Sequence, residues 1–290
     1  MLASVDWTTD LRDRNVAPIC QIAIDPSGRI WAPEANGDKF AIFDPGGTLL
    51  VEWGSSGTGP GQFDFTRANR DGYGTLAFAK DGSFFVLDVG NRRIQRFDAS
   101  RRSVTQWGTF GSGPGQYQDP VGIAVGPDGT VWVLDDVRSV VEHYTAEGRV
   151  LGSFDPFATV PVNGGANSLM IDAEGNLYVT IVDPFKVAVF DPGGTFLRFI
   201  GDGSFSEQPT HMAMDVGRRL YVTHGAGRGA APGVLVFDMD GTLVGGFGPP
   251  GTGIGQVLFP AGIAVDARGG LIVEDSMPES ARLIRFVLTP

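Results

Sequence analysis

The 290-residue chain has very little cysteine and no long apolar run. Its single cysteine, Cys20, excludes an internal disulfide. No stretch approaches the roughly 20 apolar residues of a membrane-spanning helix, and the N-terminus lacks the basic start and apolar core of a signal peptide. From the sequence as given we expect a cytoplasmic protein without a membrane partner, although a leader removed beforehand would leave no trace here.

Positive charge is also scarce. The chain carries 22 Lys and Arg against 33 Asp and Glu, a formal net charge of −11. Contacts to phosphate supply most nucleic-acid affinity, and an acidic surface opposes them. We therefore expect no nucleic-acid partner, and we expect a monomer.

The apolar spacing of an amphipathic helix is missing as well, and short runs rich in β-branched and aromatic residues replace it. One stretch shows four of these runs, separated by turns that contain glycine, aspartate or proline: 121–125 (VGIAV), 131–135 (VWVLD), 140–144 (VVEHY) and 149–154 (RVLGSF). Four consecutive strands make one blade of a β-propeller. A single blade cannot bury both of its faces, so the chain has to repeat it.

The blade pattern recurs six times. Each third strand ends in an aromatic residue, at Phe43, Phe97, Tyr144, Phe190, Phe237 and Phe286. A period of about 45–50 residues is typical of propellers. The sequence therefore predicts an all-β, six-bladed propeller of four-stranded antiparallel blades, forming one domain over residues 1–290. The predicted blades span approximately 16–54, 55–108, 109–154, 155–201, 202–248 and 249–290.

The sixth blade lacks chain for its outer strand, because only four residues follow Phe286. The start of the chain supplies a match. Residues 4–8 (SVDWT) resemble the outer strands at 50–54 (LVEWG) and 104–108 (VTQWG). We predict that residues 3–9 form the outer strand of blade 6, which closes the ring and removes an open seam.

The repeated pattern resembles the NHL repeat. The resemblance is carried by Gly111–Gln116 with Pro120–Val125, by Gly251–Gln256 with Pro260–Asp266, and by Asp88–Asp98. It implies a six-bladed propeller but no single activity, since propellers of this kind include lyases, lactonases, sensor domains and RNA-binding modules.

One activity of these propellers is not implied. Peptidyl-α-hydroxyglycine lyases hold zinc with histidines that directly follow the proline opening inner strands. The corresponding positions here are Cys20, Gly74, Val121, Asn167, Thr210 and Ala261. None is histidine, so the resemblance carries no zinc site.

Departures from the repeat mark candidate functional residues. One such position directly follows Cys20, Gly74, Val121, Asn167, Thr210 and Ala261 in their blades. It is glycine in blades 3 and 6 and polar in the other four, at Gln21, Thr75, Ser168 and His211. We expect it at the mouth of the central channel, where a ligand site should form. Gln21, Asn167 and Ser168 are predicted substrate-binding residues; alternatively, polar groups here bind channel waters.

Blade 5 provides two candidate bases. His211 replaces the mouth glycine, and His224 opens the long loop 224–233. A histidine at a channel mouth among carboxylates is a reasonable general base, so both are predicted catalytic residues. His143, inside 140–144, is interpreted as an ordinary strand residue.

An insertion overhangs the same mouth. Seven residues separate Gln116 from Ile123, but fourteen separate Gln62 from Leu76. The extra residues fall in loop 64–74, where Arg67 and Arg70 are predicted to hold an anionic substrate group and Tyr73 to donate a proton or position the substrate. The arginines could instead neutralise carboxylates. We expect this loop to share one site with blade 5, across the channel.

Four second strands end in a carboxylate: Glu34, Asp88, Asp135 and Asp275. Such residues could share a hard cation, Ca²⁺ or Mg²⁺, or they could accept hydrogen bonds from loop amides. The connector 111–116 (GSGPGQ) lacks the lysine and the helix of a phosphate loop, so no nucleotide cofactor is expected.

Together these features predict a stand-alone NHL-type propeller enzyme. It would act on a small polar or anionic molecule at the channel mouth, by lyase, isomerase or hydrolase chemistry. The alternative is a non-catalytic module that binds a small ligand or a protein.

Overall fold

The computed structural model describes residues 2–12, 21–34, 37–66, 75–158, 164–225, 231–277 and 281–289. Over these ranges the chain forms 27 β-strands and no α-helix. No helix in them is long and apolar enough to cross a membrane.

Six sheets of four or five strands form the blades of a ring, which confirms the predicted propeller. Blade 1 consists of β2 (Ala23–Ile24), β3 (Ile30–Glu34), β4 (Lys39–Phe43) and β5 (Leu49–Ser56), with β6 (Gln62–Phe63) added in parallel. Blade 2 consists of β7 (Thr75–Phe78), β8 (Phe84–Asp88), β9 (Arg93–Phe97) and β10 (Ser103–Trp107). The parallel pair β11 (Thr109–Phe110) and β12 (Gln116–Tyr117) then leads into blade 3.

The next three blades follow the same meander. Blade 3 consists of β13 (Pro120–Val125), β14 (Val131–Asp135), β15 (Val140–Tyr144) and β16 (Val150–Phe154). Blade 4 consists of β17 (Ala166–Ile171), β18 (Leu177–Val182), β19 (Phe185–Phe190) and β20 (Phe196–Ile200). Blade 5 consists of β21 (Pro209–Met214), β22 (Leu220–His224), β23 (Val234–Phe237) and β24 (Leu243–Phe247).

Blade 6 is built from both ends of the chain. Its sheet has the order β1 (Leu2–Asp10), β27 (Arg282–Thr289), β26 (Leu271–Asp275) and β25 (Pro260–Val265). The antiparallel pairing of β1 with β27 runs from Leu2 opposite Thr289 to Asp10 opposite Arg282. The predicted closure by residues 3–9 is confirmed, with one more residue at each end.

The apolar core is divided among the gaps between blades. Six clusters of buried apolar side chains each join two neighbouring blades. The cluster between blades 1 and 2 is rich in aromatic rings, such as Trp31, Phe40 and Phe84. Each blade buries side chains on both of its faces against its two neighbours, so the stability of one blade depends on the blades beside it.

The ring has two different ends. At the loop face, each first strand begins beside the end of the second strand, as Pro120 pairs with Asp135 and Pro260 with Asp275. At the turn face, a tight turn joins the first strand to the second. Between them a central cavity of about 310 Å³ is lined by first strands.

Candidate functional site

The carboxylates that end second strands on the loop face bind their own blades. Asp88 accepts hydrogen bonds from the amide of Asp64, at 2.8 Å, and from Nε of Arg93, at 2.7 Å. Asp135 accepts from the amides of Gln118, at 2.7 Å, and Asp119, at 3.1 Å. Both aspartates hold the segment that leads into their first strand. Burial raises the pKa of each, against these hydrogen bonds.

Blades 6 and 1 complete this set. Asp275 accepts from the amides of Leu258, at 3.1 Å, and Phe259, at 2.8 Å. Glu34 lies 3.3 Å from Nζ of Lys39. Among the described residues no group of three or more His, Cys, Asp or Glu could hold a metal ion.

The predicted convergence of Glu34, Asp88, Asp135 and Asp275 on one cation is therefore not formed. Hydrogen bonding to loop amides, the other interpretation, describes the three aspartates, because each is used within its own blade. Binding of Ca²⁺ or Mg²⁺ by this protein stays a prediction.

A sharper departure occurs one residue earlier, at the fourth position of each second strand. All six side chains there are buried. In blades 1–3 they are Pro33, Leu87 and Leu134, and in blades 4–6 they are Thr180, Thr223 and Glu274. Half of the ring is therefore apolar at this depth and the other half polar. Comparing the fourth positions of the repeat would have revealed this, but attention to the strand ends missed it.

The two threonines fix the irregular starts of the first strands. Oγ1 of Thr180 accepts from the amides of Asn167, at 3.3 Å, and Ser168, at 3.0 Å. Oγ1 of Thr223 accepts from the amide of His211 at 3.0 Å. The pairing register shifts at these places, so the threonines satisfy amides that the sheet leaves unpaired.

His211 is held in one tautomer. Its Nδ1 lies 2.8 Å from the carbonyl oxygen of Ala261 in the next blade, and because a carbonyl only accepts, Nδ1 carries the proton. No hydrogen bond to Nε2 occurs within the described part of the chain. Burial lowers the pKa of His211 to about 4, so the imidazole is neutral at neutral pH. It offers a lone pair at Nε2.

Glu274 is fully buried, and neither carboxyl oxygen has a hydrogen-bond partner among the described residues. Side chains alternate along a strand, so it lies on the same face as Ile272, which packs with Ile22 of blade 1. Burial and then the charge of Asp275 raise the pKa of Glu274 to about 8. At neutral pH it is a protonated acid.

The remaining predicted mouth residues divide into two groups. Nδ2 of Asn167 donates to the carbonyl of Pro209 at 3.1 Å, and Oε1 of Gln21 accepts from Thr75 at 3.2 Å; both bonds link neighbouring blades. Ser168, in contrast, is buried and its hydroxyl has no partner in the described structure.

The two other histidines are both engaged. His224 is buried, its Nε2 lies 2.6 Å from the carbonyl of Pro232, and burial lowers its pKa. Its Nδ1 has no partner in the described ranges. His143 stacks on Trp132 with ring centroids 3.7 Å apart, in agreement with a packing role.

Three predicted site residues, Arg67, Arg70 and Tyr73, lie outside the described residues, as does Cys20. The expectation that loop 64–74 and blade 5 share one site therefore stays a prediction.

Fold and loop face together define a six-bladed propeller with buried, unpaired polar groups at one end of its channel. No protein-family model matches the chain, so membership of the NHL family is not confirmed. No curated protein matches it either.

Solved structures do match over nearly the whole chain. A streptogramin B lyase is 13% identical with a TM-score of 0.64, covering 95% of both chains. Virginiamycin B lyase from Staphylococcus aureus is 12% identical with a TM-score of 0.65, covering 99% of this chain and 100% of that one. A catalytically inactive variant of that lyase, with quinupristin, matches equally well.

A third match has no known function. It is a Bacteroides thetaiotaomicron protein, 15% identical with a TM-score of 0.69, covering 98% of this chain and 73% of that chain. At these identities the likeness shows the propeller fold alone.

Proposed function

We propose that this protein is a propeller enzyme of lyase type that binds a small polar or anionic molecule at the loop face of blades 4–6. The observation that carries the proposal is the division of the ring at the fourth position of the second strands. Thr180 and Thr223 bond to amides of the first strands, whereas Glu274 has no hydrogen-bond partner among the described residues. Burying a polar group without a partner costs free energy, and Leu87 and Leu134 show that the fold accepts apolar residues at this position. A ligand that pairs with Glu274 would offset that cost.

The two titratable groups have complementary forms. His211 is neutral with a lone pair at Nε2, whereas Glu274 carries a proton. The two groups lie in different gaps, because His211 bonds to Ala261 between blades 5 and 6, whereas Glu274 faces blade 1 with Ile272. In the proposed elimination Nε2 of His211 takes a proton from the substrate, and the leaving group departs with the electron pair of the bond that breaks. The protonated Glu274 acts in the proposal as a hydrogen-bond donor to the ligand.

The structural neighbours support the reaction class but not a substrate. They include streptogramin B lyase and virginiamycin B lyase, which share only the fold with this chain. Within the proposal, Arg67 and Arg70 hold an anionic group of the substrate and Tyr73 positions it.

A non-catalytic binding module is the second candidate. It is favoured by the pKa of His211, because an imidazole with a pKa of about 4 is a weak base. Such a group accepts a hydrogen bond from a ligand more readily than it removes a proton.

The experiment compares turnover by the wild type, His211→Asn and Glu274→Gln, with quinupristin and simple cyclic esters as probes and mass spectrometry as the readout. The asparagine amide can still donate to Ala261 but lacks Nε2. His143→Asn, on the packing histidine, is the matched control. We expect His211→Asn to lose turnover by at least about a hundredfold, as for removal of a general base. Glu274→Gln should lose less, because its amide can still donate to the ligand, and the control should retain wild-type turnover. Wild-type turnover in His211→Asn overturns the proposal; wild-type binding of a probe without turnover favours the module.

A further inference from the structure

A second pocket lies at the turn face, between the first turns of blades 1 and 2. Its volume is about 310 Å³, at the lower end for small-molecule sites. The loop-face residues do not contribute to it. Its lining includes the aromatic side chains of Trp31, Phe78 and Phe84 and the cationic side chains of Arg29 and Lys80.

The floor of this pocket is aromatic. The ring centroids of Trp31 and Phe78 are 5.4 Å apart, those of Phe78 and Phe84 are 5.3 Å apart, and those of Trp31 and Phe84 are 5.1 Å apart. Trp31 and Phe84 are almost fully buried, and Phe78 is half-buried. Three rings in mutual contact form a rigid surface against which another ring can pack edge to face.

Two cationic side chains, those of Arg29 and Lys80, lie at the rim of the pocket. Nε of Arg29 donates to Asp25 at 2.7 Å, while its terminal nitrogens make no hydrogen bond within the described ranges. Nζ of Lys80 donates to the carbonyl of Pro127 in blade 3 at 3.4 Å, its one hydrogen bond within the described ranges, and the side chain lines both this pocket and the one between blades 2 and 3. Both side chains therefore retain donors for an anion.

The two carboxylates at the rim, those of Asp25 and Asp81, accept hydrogen bonds from the protein itself. Oδ1 of Asp25 accepts from Ser27 and Oδ2 accepts from Nε1 of Trp31 at 3.1 Å. Oδ1 of Asp81 accepts from the amide of Ser83 at 2.9 Å and from its hydroxyl at 2.7 Å. Their hydrogen bonds turn them toward their own turns, which leaves the cations to face a ligand.

Equivalent gaps elsewhere in the ring differ. The pocket between blades 6 and 1, of about 220 Å³, is lined by turn residues that include Arg268 and no aromatic side chain. The pocket between blades 2 and 3, of about 330 Å³, shares Lys80 and has Arg96, but Phe85 is its one aromatic residue. Of these three pockets, the one between blades 1 and 2 is the one that combines a floor of three aromatic rings with cationic side chains.

We propose that this pocket binds a small aromatic carboxylate, with its ring on Phe78 and its carboxylate between Arg29 and Lys80. An arginine and a lysine give charge-assisted hydrogen bonds to a carboxylate, and an arene contact selects a ring over an aliphatic group. This inference goes beyond the loop-face function and does not depend on it.

The test follows the tryptophan indole N–H signals by NMR while benzoate is added. Trp31 is assigned with Trp31→Phe, and Trp132, in blade 3, is the internal control. Benzoate should shift the Trp31 signal to saturation near about 10 mM, as expected for a fragment with a Kd of about 1 mM. Benzyl alcohol, which lacks the charge, and cyclohexanecarboxylate, which lacks the arene, should each bind at least about tenfold more weakly, the factor that 1.4 kcal/mol gives.

Variants separate the two halves of the site. Lys80→Gln and Phe78→Leu should each weaken benzoate by about tenfold, the size of one lost charge-assisted or aromatic contact. Arg268→Gln, in the pocket without aromatic residues, should bind as the wild type. No shift of Trp31 with benzoate, equal shifts with cyclohexanecarboxylate, or full affinity in Lys80→Gln would each overturn the proposal.

Discussion

The two halves of the ring have the same backbone pattern but differ in the side chains at the ends of their second strands. In blades 2 and 3 the second strands finish with a leucine followed by an aspartate that holds the approaching loop. In blade 5 the same two positions hold Thr223 and His224, and in blade 6 they hold Glu274 and Asp275. Blades 1–3 therefore bury an apolar side chain at the fourth position of the second strand, whereas blades 4–6 bury a polar side chain there.

The difference shows which residues the fold requires and which it merely tolerates. Aspartate caps hold the approaching loops of blades 2, 3 and 6, so one of them, Asp275, lies in the polar half. Glu274, beside that cap, makes no hydrogen bond in the described structure. A buried polar group without a partner is the kind of residue that function, not folding, explains.

Removing residues 2–10 should have the largest effect, because it takes away the whole outer strand of blade 6 and opens the ring. Stability of a domain is about 5–15 kcal/mol, and we expect most of it to be lost. Thermal unfolding measures the loss, and hydrogen exchange should show the opening spreading through blades 5 and 6. As a control, Asp6→Ala breaks the 2.7 Å pair with Arg285 but keeps the strand, and should cost less than about 1 kcal/mol. An unchanged melting temperature after truncation would contradict closure by this strand.

The second prediction concerns the pH dependence that Glu274 imparts to the polar half. Its pKa is raised from 4.5 to about 8 by folding, so the folded state holds its proton more tightly. The stability it contributes is complete below pH 4.5 and is lost as the pH rises to about 8. Relative to Glu274→Gln, the free energy of unfolding should fall by about 1.4 kcal/mol per pH unit across this window. Denaturant unfolding at several pH values checks this, and parallel curves for the two proteins would refute it.

A smaller loss is expected from the caps of the apolar half. Asp135→Ala leaves the part-buried amides of Gln118, Asp119 and Arg138 without that acceptor and should cost about 3 kcal/mol, from three donors at about 1 kcal/mol each. Because the carboxylate is occupied by amides, chelator should leave the melting temperature unchanged. Asp44→Ala is the comparison, because the carboxylate of this half-buried turn residue also accepts two amides, those of Gly46 and Thr48, but near the surface. A melting temperature that falls with chelator and returns with Ca²⁺ would restore the cation hypothesis.

The fold was predictable because its signals are local and repeated. Glycine turns and aromatic strand ends mark six blades, and the match of residues 4–8 to other outer strands revealed the closure.

The site was predictable only in part. The sequence identified His211 and Ser168 by their departure from glycine, but hydrogen-bond partners depend on contacts between distant blades. The bond from His211 to Ala261 joins residues 50 positions apart, and no motif encodes it. The partners of Asp88, Asp135 and Asp275 depend on such contacts too, since they lie in loops that precede these residues by 16 to 24 positions.

The smallest effect should come from Ser168→Ala. Its hydroxyl is buried without a hydrogen-bond partner in the described structure. Folding therefore removes the hydroxyl from water without giving it a new hydrogen bond, which lowers the stability of the folded state. Replacing it with a methyl group removes that cost, and we expect a change between zero and about 1 kcal/mol in favour of the folded state. Thr180→Ala is the contrast, because its Oγ1 accepts the amide of Ser168 at 3.0 Å and its removal should destabilise by about 1 kcal/mol or more. If Ser168→Ala destabilises as much as Thr180→Ala, the serine is part of the blade's own hydrogen bonding. Ser168→Ala that folds better but binds its ligand more weakly is what a hydroxyl kept for a ligand would produce.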